Sequence, residues 1–151
     1  MMRLLAPLML VAALAAGCAS PAGDGPGGDP RLAMLTPYLT VQAALAGDTL
    51  DGVPAAAAAI ADAAGTLGPG AAAVATGAKA VGAAPDLAAA RTAFGELSDA
   101  VLAYTKEEGL EPEGLRIAYC PMVNKSWYQK EDQIRNPFYG SEMLECGTFR
   151  K

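Results

Sequence analysis

Apolar positions from Thr36 to about Glu108 recur at spacings of three and four, the period of helices that bury one face. Thr36-Pro37 is a start signal, with Thr36 as N-cap and Pro37 at the first helical position; Tyr38, Val41 and Leu45 then share a face. Gly47-Asp48 interrupts the pattern, and Asp48 or Asp51 is placed to cap a second helix carrying Val53, Ile60, Ala64 and Leu67. Gly68-Pro69-Gly70 stops it. A weak third helix runs through Val74, Ala78 and Val81, with Gly77 and Gly82 counting against it. The most regular helix starts near Asp86. Its apolar line is Leu87, Ala90, Phe94, Leu97, Val101 and Tyr104, and Gly109 is its natural stop. Four helices with short connections predict a small up-and-down bundle, so the expected class is mainly α.

Ahead of the helices the pattern changes twice. Arg3 followed by the uncharged apolar run Leu4 to Ala16 reads as a signal peptide over residues 1–17, too short for a comfortable membrane span. Leu14-Ala15-Ala16-Gly17-Cys18 resembles a bacterial lipobox, which implies lipidation of Cys18. Two or three acyl chains there make a firm membrane anchor, at about 0.8 kcal/mol per buried methylene. Ala19, rather than Asp, after the cysteine favours the periplasmic face of the outer membrane over the inner membrane. Residues 18–34 are dominated by Gly, Pro, Ala, Ser and Asp and read as a flexible tether, leaving 35–151 as the folded domain.

Composition narrows the function. Of 151 residues 52 % are apolar but only 6 % aromatic, and alanine dominates, so the bundle core is thin and its stability modest. Histidine is absent, which removes Ser-His-Asp triads, zincins and Cys–His pairs. A net charge of −5 with no basic run is a poor match for nucleic acid. The expectation is a protein without catalysis.

After Gly114 the chain becomes aromatic. Tyr119, Trp127, Tyr128, Phe138, Tyr139 and Phe149 all lie there, and Leu115 to Tyr119 alternates as a short strand. Asn136-Pro137 and Tyr139-Gly140 bracket a turn. The segment is expected to be irregular, to carry a short β-hairpin and to complete the bundle core. Cys120 has no His partner and no C-x-x-C spacing, which argues against nucleophilic or redox catalysis. Two readings of its sulfur remain open. In an oxidising compartment Cys120 and Cys146 form a disulfide closing 27 residues, worth about 3.5 kcal/mol, in a structural or partner-binding lipoprotein. Alternatively Cys120, Met122, Met143 and Cys146 converge, and two thiolates with two thioethers suit copper(I) or silver(I) better than zinc.

Ala118, Cys120-Pro121-Met122, Trp127, Ile134-Arg135-Asn136-Pro137-Phe138-Tyr139-Gly140, Met143-Leu144 and Cys146-Gly147 together closely resemble an uncharacterised bacterial periplasmic domain family. Tyr38 to Leu50 and Phe94-Gly95-Glu96-Leu97-Ser98 resemble its helical part, so the likeness covers Leu35 to Phe149. Members stand alone, often as lipoproteins, or are fused to the adaptor subunit of copper/silver-type efflux systems. The resemblance implies a small helical bundle and a metal association carried by Cys120, Met122, Met143 and Cys146. A heavy-metal efflux adaptor is the partner it implies, and Trp127, Asn136, Pro137, Tyr139, Gly140 and Gly147 are the motif's structural residues. The reading is a lipid-anchored protein that sequesters a soft metal ion or hands it on.

Overall fold

The computed structural model describes residues 28–150. The expected signal peptide, Cys18 and most of the tether lie outside them. Four α-helices follow in order: α1 Leu35–Ala46, α2 Val53–Thr66, α3 Ala72–Gly82 and α4 Leu87–Glu107. Each packs on the next and α1 returns to α4, which closes the up-and-down bundle. A three-stranded antiparallel sheet completes the fold: β1 Arg116–Cys120, β2 Lys125–Gln129 and β3 Thr148–Phe149, in the order β2-β1-β3. The architecture is mainly α with a short β-hairpin, and β3 is an addition to the predicted elements.

The predicted faces are the buried ones. Tyr38, Val41, Leu45, Ile60, Val74, Ala78, Phe94, Leu97 and Val101 are fully enclosed. Asp86 caps α4, its carboxylate accepting the Ala89 N–H at 2.8 Å, and Gly109 follows its end at φ +63°.

The starts of the first two helices differ from expectation. Thr36 is not the N-cap; α1 begins at Leu35 after Met34, and Pro37 sits within its first turn, where a missing N–H costs nothing. Neither Asp48 nor Asp51 caps α2. Gly52, at φ +74°, leads into it, and the Asp48 carboxylate is used elsewhere. The buried set begins ahead of the expected boundary at residue 35: Leu32 and Met34 lie in the core, and Asp29 caps a short 3-10 turn at Pro30–Leu32.

The third helix is fully formed, and the glycines counted against it explain why. A Cβ at Gly77 would lie 2.9 Å from Leu97 Cα, so α3 and α4 meet backbone to side-chain stem at this crossing. Gly77 lowers helix propensity locally and permits the close approach that buries Val74, Ala78 and Val81.

Candidate metal centre

Cys120 ends β1, paired in register with Lys125 across a tight turn over Pro121–Asn124, in which Asn124 takes φ +53°. Strand alternation sends Ala118 and Cys120 inward beside Trp127, and both are fully buried. The chain then leaves β2, loops back, and brings Cys146 to the edge of the same layer just before β3. The two sulfurs lie 3.7 Å apart as free thiols, Cys120 buried and Cys146 part-exposed.

Residues called structural in the motif make this approach. Asn136 is fully buried; its Oδ1 accepts the Phe138 N–H at 2.8 Å and its Nδ2 donates to the Cys146 carbonyl at 2.8 Å. Its own N–H donates to the Leu144 carbonyl at 2.7 Å, tying both ends of the loop. Pro137 offers its carbonyl to Arg91 Nε at 3.0 Å, and Gly147 runs against the Trp127 ring. Gly140, at φ +55°, lies where a side chain would strike the Asp48 carboxylate and the Arg91 guanidinium. Tyr139 stands beside it, part-buried, in a groove shared with Arg91, Val123 and Lys125.

Two buried amides escaped the sequence reading. Gln42 Nε2 donates to the Arg135 carbonyl at 2.7 Å. Gln129 Oε1 accepts from Trp127 Nε1 and from the Arg135 N–H, both at 3.1 Å, while its Nε2 donates to the Glu131 and Gln133 carbonyls. The signal was present: Gln42 falls four residues after Tyr38 on a buried helical face, and Gln129 two after Trp127 on a strand face. A polar residue at such a position needs a partner, and here the partner is loop backbone.

The two thiols differ in electrostatics. Burial alone pushes the Cys120 thiol up. The backbone N–H groups of Val123 and Met122, the Asn136 amide and the Cys146 thiol outweigh that and hold it below the ordinary cysteine range. Cys146 moves the other way. Its hydrogen bond to Cys120 is the main cause, with burial and the charge on Cys120 adding to it.

The methionines sit differently from the cysteines. Met122, in the β1–β2 turn, is 63 % exposed, and Met143, three residues before Cys146, is 37 % exposed. They are the two large apolar side chains left exposed among the described residues. Cys120 and Cys146 are brought together; Met122 and Met143 are near them in sequence and exposed. Among the described residues no three His, Cys, Asp or Glu side chains form a ligand group. A groove of about 600 Å³ between the end of α4 and the sheet includes neither cysteine.

No family model, no curated protein and no solved structure matches the chain. Among the described residues no helix is long and apolar enough to cross a membrane.

Proposed function

We propose that the protein is a lipid-anchored, periplasm-facing carrier of a soft metal ion, copper(I) by chemistry, which it sequesters or passes to a heavy-metal efflux adaptor without catalysing a reaction. The observation that carries the proposal is the thiol pair at 3.7 Å, with an exposed methionine two residues after Cys120 and another three residues before Cys146. Thiolate and thioether sulfur are the donors that soft monovalent ions prefer, and neither needs histidine. Met122 and Met143 are the two large apolar side chains left exposed among the described residues, so their polarizable thioethers are accessible to an ion. Anchoring through Cys18 and the adaptor as partner extend the same reading from the lipobox and the motif.

The test is competition between reduced protein and a chromogenic copper(I) chelator. The expected result is one equivalent bound by the wild type and weaker competition by the Met122→Leu/Met143→Leu variant. Leucine keeps volume and hydrophobicity, so the thermal midpoint should move little, by less than about 1.5 kcal/mol in stability. Equal competition by the variant, or none by the wild type, overturns the proposal.

A further inference from the structure

We infer that Cys120 and Cys146 also form a dithiol–disulfide couple that exchanges with an incoming disulfide, Cys146 meeting the oxidant and Cys120 closing the bond. The exchange rests on the thiol pair alone; its consequence for the metal rests on the soft-metal reading above.

Geometry assigns the two roles. Only Cys146 is part-exposed, so only its sulfur can meet a disulfide on another molecule. Cys120 has no exposed surface, and its Sγ lies 3.7 Å from Cys146 Sγ with Asn136 and the turn backbone behind it. A disulfide bond is about 2.05 Å long, so closure shortens the gap by roughly 1.7 Å. The Asn136 amide, bound to the Cys146 carbonyl, fixes the backbone on one side of that gap. The β1–β2 hairpin fixes it on the other.

The part-exposed Cys146 thiol gives its proton to water, and the resulting thiolate attacks a disulfide R′–S–S–R″. A mixed disulfide Cys146–S–S–R′ forms and R″–S⁻ leaves, taking the proton from Cys120. The Cys120 thiolate then attacks Cys146 Sγ, the intramolecular bond forms, and R′–S⁻ leaves. The pair loses two electrons and the incoming disulfide gains them. The oxidant is a disulfide of the kind carried by thiol-exchange proteins or glutathione. Afterwards neither sulfur is a thiolate, and the two anionic donors proposed for copper(I) are gone.

The experiment uses the full-length metal-free protein, equilibrated with oxidised and reduced glutathione and read by intact mass and thiol alkylation. The inference expects a product two hydrogens lighter with both thiols blocked. Alkylation of the reduced protein should be faster at Cys146 than at Cys120 by on the order of tenfold. Cys146→Ser should leave Cys120 unreactive towards oxidised glutathione. Asn136→Asp, which removes the donor that holds the Cys146 carbonyl and puts a carboxylate beside Cys120, should slow the second step and accumulate the mixed disulfide. A wild-type reaction that stops at the mixed disulfide, faster labelling of Cys120, or reaction of Cys120 in Cys146→Ser overturns the inference. The copper arm separates the two proposals. Reduced protein that competes for copper(I) and oxidised protein that does not supports both. Oxidised protein that competes equally overturns the switch alone. Clean disulfide formation in a protein that never binds copper(I) overturns the metal reading and leaves the exchange standing.

Discussion

Between α2 and α3 small residue meets small residue: a Cβ at Gly82 would fall 3.2 Å from that of Ala57. Above Trp127 the neighbours are of another kind: the Phe138 ring at 5.7 Å edge-on, and a Gln129 amide that binds the indole N–H and three backbone groups of the following loop. The α2–α3 pair coheres by close helix approach with little side-chain volume to bury. The segment after Gly114 coheres by large rings and saturated buried amides. Tight alanine packing tolerates little added volume and holds no chemistry. A loop pinned by amides can hold two thiols within contact distance, because hydrogen bonds fix direction as well as distance.

The two regions are also joined. Phe94 of α4 meets Tyr38 at 5.1 Å and Phe138 at 6.0 Å, and the Tyr38 hydroxyl binds Ser98 at 2.7 Å and accepts the Tyr128 N–H. Trp127→Ala tests whether they unfold together. It removes the largest fully buried side chain and leaves Gln129 Oε1 short of a donor, with an expected cost of about 3–5 kcal/mol. Circular dichroism in the far and near ultraviolet should show one transition at a lowered midpoint. Two separated transitions would mean that the bundle stands without the aromatic segment.

The unequal legibility of the two regions in the sequence has the same cause. The Leu87 to Tyr104 line and the Asp86 cap are local signals with one periodicity, and the structure has the helix where they predict it. The Asn136, Gly140 and Gly147 positions were visible as a motif, but the contacts that seat this loop on the bundle join residues far apart in sequence, such as Gln42 to Arg135 and Asp48 to Ser141. No spacing rule reaches across such distances. Asp48 shows the limit most plainly. As an acidic residue after Gly47 it reads as a helix cap, yet its left-handed backbone, φ +57°, turns the carboxylate towards Arg91 and the Ser141 N–H. Cys120 and Cys146 stood out as a pair from composition; that one is buried and the other part-exposed followed only from strand alternation and the loop's return.

A smaller effect probes the bundle side of the comparison. Gly77→Ala should raise the local helix propensity of α3 and still destabilise the protein, by about 1–3 kcal/mol, because the added methyl meets Leu97 Cα and Cβ. Denaturant unfolding of this variant gives the sign directly. A stabilised Gly77→Ala protein would show that α3 and α4 approach less closely than their packing here requires.

The smallest effect is at the seam, where Asp48 joins α1 to the turn that carries Gly140. Ser141, through side chain and backbone N–H, and Arg91 hold the Asp48 carboxyl down at about 2 from its ordinary 3.8. A carboxylate whose folded value is depressed contributes stability above its unfolded value and loses it as pH falls through the folded one. The contribution is therefore complete above about pH 5 and gone at about pH 1, below both values. Asp48→Asn isolates the charge, since asparagine also accepts the left-handed backbone and keeps an acceptor for the Ser141 N–H. Arg91 retains the Leu45 and Pro137 carbonyls in the variant, each at 3.0 Å. Because the carboxylate is solvent-accessible and screened, the loss at neutral pH should be smaller than for either core substitution. The difference in thermal midpoint between wild type and Asp48→Asn should narrow steadily as pH falls from about 5 to about 2, and added salt should narrow it at neutral pH. A gap that stays constant across that range would assign the stabilisation to hydrogen-bond geometry at Gly140 and Ser141 rather than to the Asp48 charge.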